Sequence, residues 1–246
     1  MSSWSVLGLR AGAARPAALL LGLLAAVRVS GASHLETTVL LRDLDFLDKL
    51  TNPCQITNTG RPLPTNRRQE GRDSELQIEL RLASSLARFV REASGVPECT
   101  GMSLQSQPSI SSLSGRTRHE AMPEMYRVFL IETAHLYLMA QEIRESHQTC
   151  GNESRGLVDE LFSLAGHLQN ILCVISESVH RPDLETVLNS VPDLGLSKYR
   201  NCHRRLMRNC LVLENTSAML SLSLQYMSEQ RAAQSNDIRP RLMVVG

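Results

Sequence analysis

The chain has 246 residues, with 26 Lys and Arg against 25 Asp and Glu, and a formal net charge of +1. That balance lacks the basic excess expected of a nucleic-acid-binding protein, so groups such as Arg204 and Arg205 read as a solvated helix face rather than a phosphate patch. Six cysteines, all beyond residue 50, point to an oxidising compartment and a disulfide framework.

The first 32 residues read as a secretory signal peptide. Arg10 and Arg15 form the positive region, Ala17 to Val27 the apolar run, and Ser30-Gly31-Ala32 the small-residue cleavage site. The run is too short to span a bilayer, and no later segment is apolar enough, so the expected product is secreted, without membrane insertion. The only tryptophan, Trp4, falls in this leader. Residues 33–72 form an N-terminal segment and strap. Leu40, Leu44, Leu47 and Leu50 suggest a short amphipathic helix within Leu35 to Leu50. Asn52-Pro53-Cys54 closes it, and the polar stretch Thr57 to Arg72 reads as exposed.

Residues 73–231 carry four stronger helical patterns, and 232–246 read as a tail. The first helix opens at Asp73-Ser74 with Gln77 placed for a capping box. Its stripe is Leu76, Leu80, Ala83, Leu86 or Ala87, Val90 and Ala93, and Gly95 with Pro97 ends it. The second starts at Pro123 and carries Met125, Phe129, Leu136, Ala140 and Ile143. The third has Leu157, Leu161, Leu164, Leu168, Ile171 and Ile175. The fourth, from about His203 to Glu229, has Leu206, Cys210, Leu213, Ser217, Leu220, Leu224 and Met227. Little strand signal is present. The sequons at Asn152 and Asn215 predict glycosylation, Asn215 lying roughly opposite the last stripe.

The connections run long, short, long: about Gly95 to Met122, Gln148 to Arg155, and Glu177 to Lys198. Short loops make neighbours antiparallel and long crossovers permit parallel ones, so the predicted fold is all-α, a long-chain four-helix bundle with up-up-down-down topology. That topology sorts the cysteines by end. Cys54 and Cys173 fall at the bottom; Cys99, Cys150, Cys202 and Cys210 fall at the top. If all six pair, three connectivities remain, and Cys202–Cys210 is disfavoured because eight helical residues span ~12 Å.

Three segments resemble interleukin-6-family cytokines of the leukaemia inhibitory factor and oncostatin M subgroup. They are Met125-Tyr126-Arg127-Val128, the Gly-x-x-x-Asn-x-x-Cys spacing from Gly166 through Asn170 to Cys173, and Arg205-Leu206-Met207-Arg208-Asn209-Cys210. The resemblance covers roughly Asp73 to Arg231. It implies a cytokine that clusters class I cytokine receptors and activates Janus kinase and STAT signalling. The shared interleukin-6-family signal transducer would bind Gly166 and Asn170 of the third helix, with Gln77, Arg81 and Ser84 of the first. Spacing alone leaves Gly166 equally open to close helix packing. A second receptor, that for leukaemia inhibitory factor or oncostatin M, would bind near the start of the fourth helix. There the family's Phe-x-x-Lys pair is replaced by His203 and Leu206, with Tyr199 the nearest aromatic, so its identity stays open. The resemblance together with the end-sorting gives Cys54–Cys173 and Cys99–Cys210, with Cys150 and Cys202 as a third pair or free thiols.

No enzyme is expected. Nucleophile elbow, phosphate loop and H-E-x-x-H are absent, and His119-Glu120 lacks a second histidine. Asp43 and Asp45 read as a polar helix face, and His135 and His167 as structural histidines. The cysteine spacing fits no zinc site, and no metal or other cofactor is implied. The alternatives are a secreted helical lipid or small-ligand carrier and a growth hormone or prolactin-type hormone.

Overall fold

The structure, a computed structural model, describes residues 36–56, 69–95, 99, 113–145, 150, 155–190 and 194–238. The predicted leader, residues 57–68 of the strap, most of the first crossover, Asn152 and the last eight residues lie outside that set. In chain order the elements are β1 (Glu36–Leu40), α1 (Leu47–Thr51), α2 (Gln69–Ser94), α3 (Arg118–Glu145), α4 (Arg155–Ser176), α5 (Arg181–Ser190), β2 (Gly195–Tyr199) and α6 (Cys202–Ile238). The chain is mostly helical, as the 3.6-residue periodicity requires.

Helix boundaries differ from the sequence reading where local chemistry overrides it. Helix α2 begins at Gln69, so Asp73 and Ser74 lie inside it rather than at its start, and Asp73 pairs with Arg118 at 2.7 Å. It stops at Gly95, whose φ of 58° lies in the left-handed region that favours glycine. Helix α3 starts at Arg118 rather than Pro123. The Glu120 carboxylate accepts the Thr117 N–H (3.0 Å) and hydroxyl (2.8 Å), which supplies the reciprocal half of a capping box and holds the Glu120 carboxyl below its ordinary range. Pro123 therefore sits in the second turn, inside the helix. Helix α6 continues through Ile238, past the tail boundary at 232.

The four long helices meet in antiparallel pairs. Helix α2 runs against α4, with Arg72–Glu177 at 3.3 Å and Glu79–His167 at 2.9 Å, numbers rising on one helix as they fall on the other. It runs against α6 in the same sense through Ser74–Arg231 and Arg91–Glu214. Helix α3 pairs with α4 through Tyr137–Gln169 (2.8 Å), and with α6 through Glu132–Thr216 (3.2 Å) and Glu142–Arg208. The shared core holds Leu76, Leu80, Ala83, Ala87 and Val90 of α2, a nearly continuous run of α3, and Leu161, Leu164, Leu168, Ile171 and Ile175 of α4. On α2 the choice falls on Ala87; Leu86 is half-buried and Ala93 exposed.

A single short strand pair is added, among the described residues, to a chain that is otherwise all-α as predicted. Residues 36–40, β-branched at Thr37, Thr38 and Val39, pair antiparallel with 195–199, Glu36 opposite Tyr199 and Leu40 opposite Gly195. The expected helix over Leu35 to Leu50 is thus a strand, a 3-10 turn and the short α1, and it buries Leu41, Phe46 and Leu50. All six cysteines pair: Cys54–Cys173, Cys99–Cys210 and Cys150–Cys202, with Cα separations of 4.9, 5.9 and 5.2 Å. Among the described residues no helix is long and apolar enough to cross a membrane.

Two titratable groups one turn apart on α3 are fully buried. Desolvation pushes Glu132 up from 4.5 to about 8, opposed by its Thr216 hydrogen bond. Desolvation, with the Arg208 charge, pushes His135 down from 6.5 to about 3. Above pH 4.5 the unfolded chain has released the Glu132 proton that the folded chain keeps, so stability falls as pH rises toward 8. Below pH 6.5 the unfolded chain binds a His135 proton that the folded chain refuses, so stability falls as pH drops toward 3. The two slopes cancel between 4.5 and 6.5. Denaturant midpoints measured against pH should show a plateau there with a fall on each side. Glu132→Gln, which mimics the protonated acid, should flatten the alkaline fall; an unchanged fall would assign it to other groups.

Candidate functional site

The α2–α4 seam is built on Glu79. Its carboxylate receives His167 Nδ1 at 2.9 Å and the Asn170 amide at 3.5 Å, which fixes the outer edge of α4 against α2. Gly166 lies one turn before Asn170, half-exposed. A Cβ built on Gly166 would meet nothing within 4 Å. Close helix packing therefore does not require this glycine, and of the two readings that spacing left open, packing is removed. Gly166, Asn170 and the exposed Ser163 and Asp159 share one face of α4.

The first-helix residues divide. Arg81 is exposed, as expected. Gln77 is not: it is only 9% exposed. Gln77 and the half-buried Ser84 share an edge with Ser74 and Arg91, spaced by three and seven, and those two contact Arg231 and Glu214. That edge faces α6, away from Gly166. The residues that do stand out on α2 are Ile78 (57% exposed), Leu82 (48%) and Phe89 (54%). Spaced by four and seven, they form a second apolar stripe opposite the core stripe. Among the described residues these are the large apolar side chains left exposed. Leu82 lies one turn beyond Glu79, and the antiparallel register sets it beside the turn of α4 that holds Ser163 and Gly166. The signal was present in the sequence, since Ile78, Leu82 and Phe89 do not fit the Leu76–Leu80–Ala83 stripe.

The second region, at the start of α6, is less open than the sequence suggests. Tyr199 is buried on β2, its N–H 3.3 Å from a Glu142 oxygen, so it offers no aromatic surface to a partner. Leu206 is half-buried and His203 exposed. Arg205, read as part of a solvated face, is buried. Asn215 is half-buried at the edge of α6, less outward than its place opposite the stripe implied, and the adjacent Thr216 is fully buried against Glu132.

Because the space beside Gly166 is open, Gly166→Ala should stabilise the fold by about 1 kcal/mol, the helix-propensity difference. A higher melting temperature is the expected readout; a lower one would restore the packing reading. Comparison with protein-family models, curated proteins and solved structures finds no match to this chain.

Proposed function

We propose that this chain is a secreted cytokine with an up-up-down-down four-helix bundle, and that it brings class I cytokine receptor chains together. The topology reading is supported by the four antiparallel pairings, α2 with α4 and α6, and α3 with the same two. It is also supported by the short 146–154 connection between two long ones, 95–117 and 177–201. Secretion is supported by three disulfides and by the leader-like first 32 residues. The resemblance of the third helix to interleukin-6-family cytokines makes the shared signal transducer of that family the receptor chain for the α2–α4 face.

One observation carries the functional reading. The large apolar side chains exposed among the described residues are concentrated on one face of α2, and the α2–α4 register sets Leu82 level with the turn that holds Gly166, a glycine that packing does not require. Isolated surface apolar residues are ordinary, but a clustered stripe beside an open backbone suits a docked partner. Ile78, Leu82 and Phe89 would supply apolar anchors, Gly166 close approach, and Asn170 and Arg81 polar contacts at the rim. The start of α6, through His203 and Leu206, is left for a second chain.

The test is capture of purified protein on a panel of class I cytokine receptor ectodomains, including the shared signal transducer. Gly166→Arg and Leu82→Arg should each keep the melting temperature and lose at least about tenfold in affinity for one ectodomain, the cost of burying an unpaired charge at an anchor position. STAT phosphorylation in responsive cells should fall with it. Binding unchanged in both folded variants would remove this face from the mechanism. No binding to any ectodomain would remove the cytokine reading.

A further inference from the structure

Strands β1 and β2 form a two-stranded sheet, so each has an outer edge. The register decides which backbone groups face outward. The Leu41 N–H donates to the Leu194 carbonyl at 3.0 Å. In an antiparallel ladder such bonded pairs recur at every second residue, here Val39 with Leu196 and Thr37 with Lys198. The residues between them, Glu36, Thr38 and Leu40 on β1 and Ser197 and Tyr199 on β2, therefore turn their backbone N–H and C=O groups away from the facing strand. Side-chain contacts on β2 agree. The Ser197 carbonyl accepts Arg208 Nη1 at 3.0 Å, and the Tyr199 N–H donates to Glu142 Oε1 at 3.3 Å.

The two edges thus differ. That of β2 is closed by the buried side chains of Arg208 and Glu142. On β1, among the described residues, no hydrogen bond reaches the outward N–H of Thr38 or Leu40, or the Thr38 carbonyl. Thr37 and Thr38 are exposed, Val39 and Leu40 half-buried. Edge strands are ordinarily blunted by lysine, proline or a bulge, because a row of open backbone groups is a template for another strand. The segment Glu36-Thr37-Thr38-Val39-Leu40 has no lysine or proline, its pairing with β2 runs without a bulge, and Thr37, Thr38 and Val39 are β-branched. An occupant of this edge must bring an extended strand.

We propose that the β1 edge pairs with β1 of a second copy of this chain, antiparallel about a two-fold axis at Thr38. The strand is self-complementary in that register. Thr38 exchanges N–H to carbonyl hydrogen bonds with Thr38 of the copy, and each Leu40 N–H reaches the Glu36 carbonyl of the other chain. Thr37 stands opposite Val39 and Glu36 opposite Leu40, so the acid meets no acid. The result is one continuous sheet in the order β2-β1-β1-β2. The edge of a five-residue strand buries less than the ~1,000 Å² at which stable interfaces begin, so the association is reversible and depends on concentration. This inference does not rest on the receptor reading.

The experiment is sedimentation equilibrium of the purified, disulfide-bonded protein at rising concentration. The mass should climb from that of one chain toward that of a pair. Thr38→Pro removes an outward N–H that the β1–β2 pairing does not use, so it should keep the melting temperature and stay monomeric where the unaltered protein is dimeric. Thr38→Lys leaves the backbone donor in place and sets like charges opposite each other across the axis, which should weaken the dimer by up to about fivefold. Thr38→Glu should do the same. Thr38→Lys mixed with Thr38→Glu should associate more tightly than either variant alone, a gain that a destabilised fold would not give. A single-chain mass at every concentration would overturn the proposal. So would a folded Thr38→Pro protein that still dimerises, or a mixture no tighter than its components. A dimer lost on Leu82→Arg and kept on Thr38→Pro would belong to the apolar stripe of α2 instead.

Discussion

The Arg208–Glu142 ion pair closes one end of the molecule. Both partners are buried, and both are further hydrogen-bonded: Arg208 also meets the Ser197 carbonyl and Asn209, and Glu142 also accepts the Tyr199 N–H. Removing one partner would strand a buried charge, typically a loss of several kcal/mol, whereas the intact pair contributes less net stability than its contacts suggest. Its structural consequence is positional. It ties β2 to α3 and α6, and β2 in turn holds β1. From β1 the chain carries Leu41, Phe46 and Leu50 into the core. The Cys150–Cys202 bridge links the α3–α4 connection to the start of α6, so covalent and ionic restraints act close together.

That anchored N-terminal segment determines which surfaces remain available. Phe46 stacks on Tyr137 at 5.1 Å, the Lys49 carbonyl accepts the Gln169 amide at 2.9 Å, and Cys54 is bonded to Cys173. Together these contacts cover the α3–α4 side. The α2–α6 side is closed by its own polar seam at Ser74–Arg231 and Arg91–Glu214. Among the described residues nothing spans the outer face of α2 and the adjoining edge of α4, and it is there that Ile78, Leu82 and Phe89 project. The candidate surface is thus a product of what the rest of the chain covers as well as of its own residues.

Part of this was legible in the sequence because it is local or is set by the lengths of the connections. The α4 stripe, the Gly95 stop and the Cys54–Cys173 end-match follow from helical period and connection length. What was missed is non-local. The pairing of 36–40 with 195–199 joins segments far apart in the chain, with three of the four long helices between them, and neither carries enough strand signal alone. Tyr199 reads as an available aromatic until β2 turns it inward. Gln77 reads as exposed because it lies off the apolar stripe, yet the α6 seam covers it. The capping box at Asp73-Ser74 failed because Gln69 begins the helix a turn earlier and Asp73 is used by Arg118. The second stripe on α2 was readable, since three large apolar residues at spacings of four and seven cannot share the core face.

Amide hydrogen exchange distinguishes whether the α2–α4 face docks a receptor chain. Exchange would be compared for the free protein and for its complex with the shared interleukin-6-family signal transducer ectodomain. Docking on that face gives added protection in peptides covering 78–89 of α2 and 159–170 of α4, with none on the α3–α4 side. Protection confined to α3 or to the N-terminal segment, or no protection at saturating ectodomain, would contradict it.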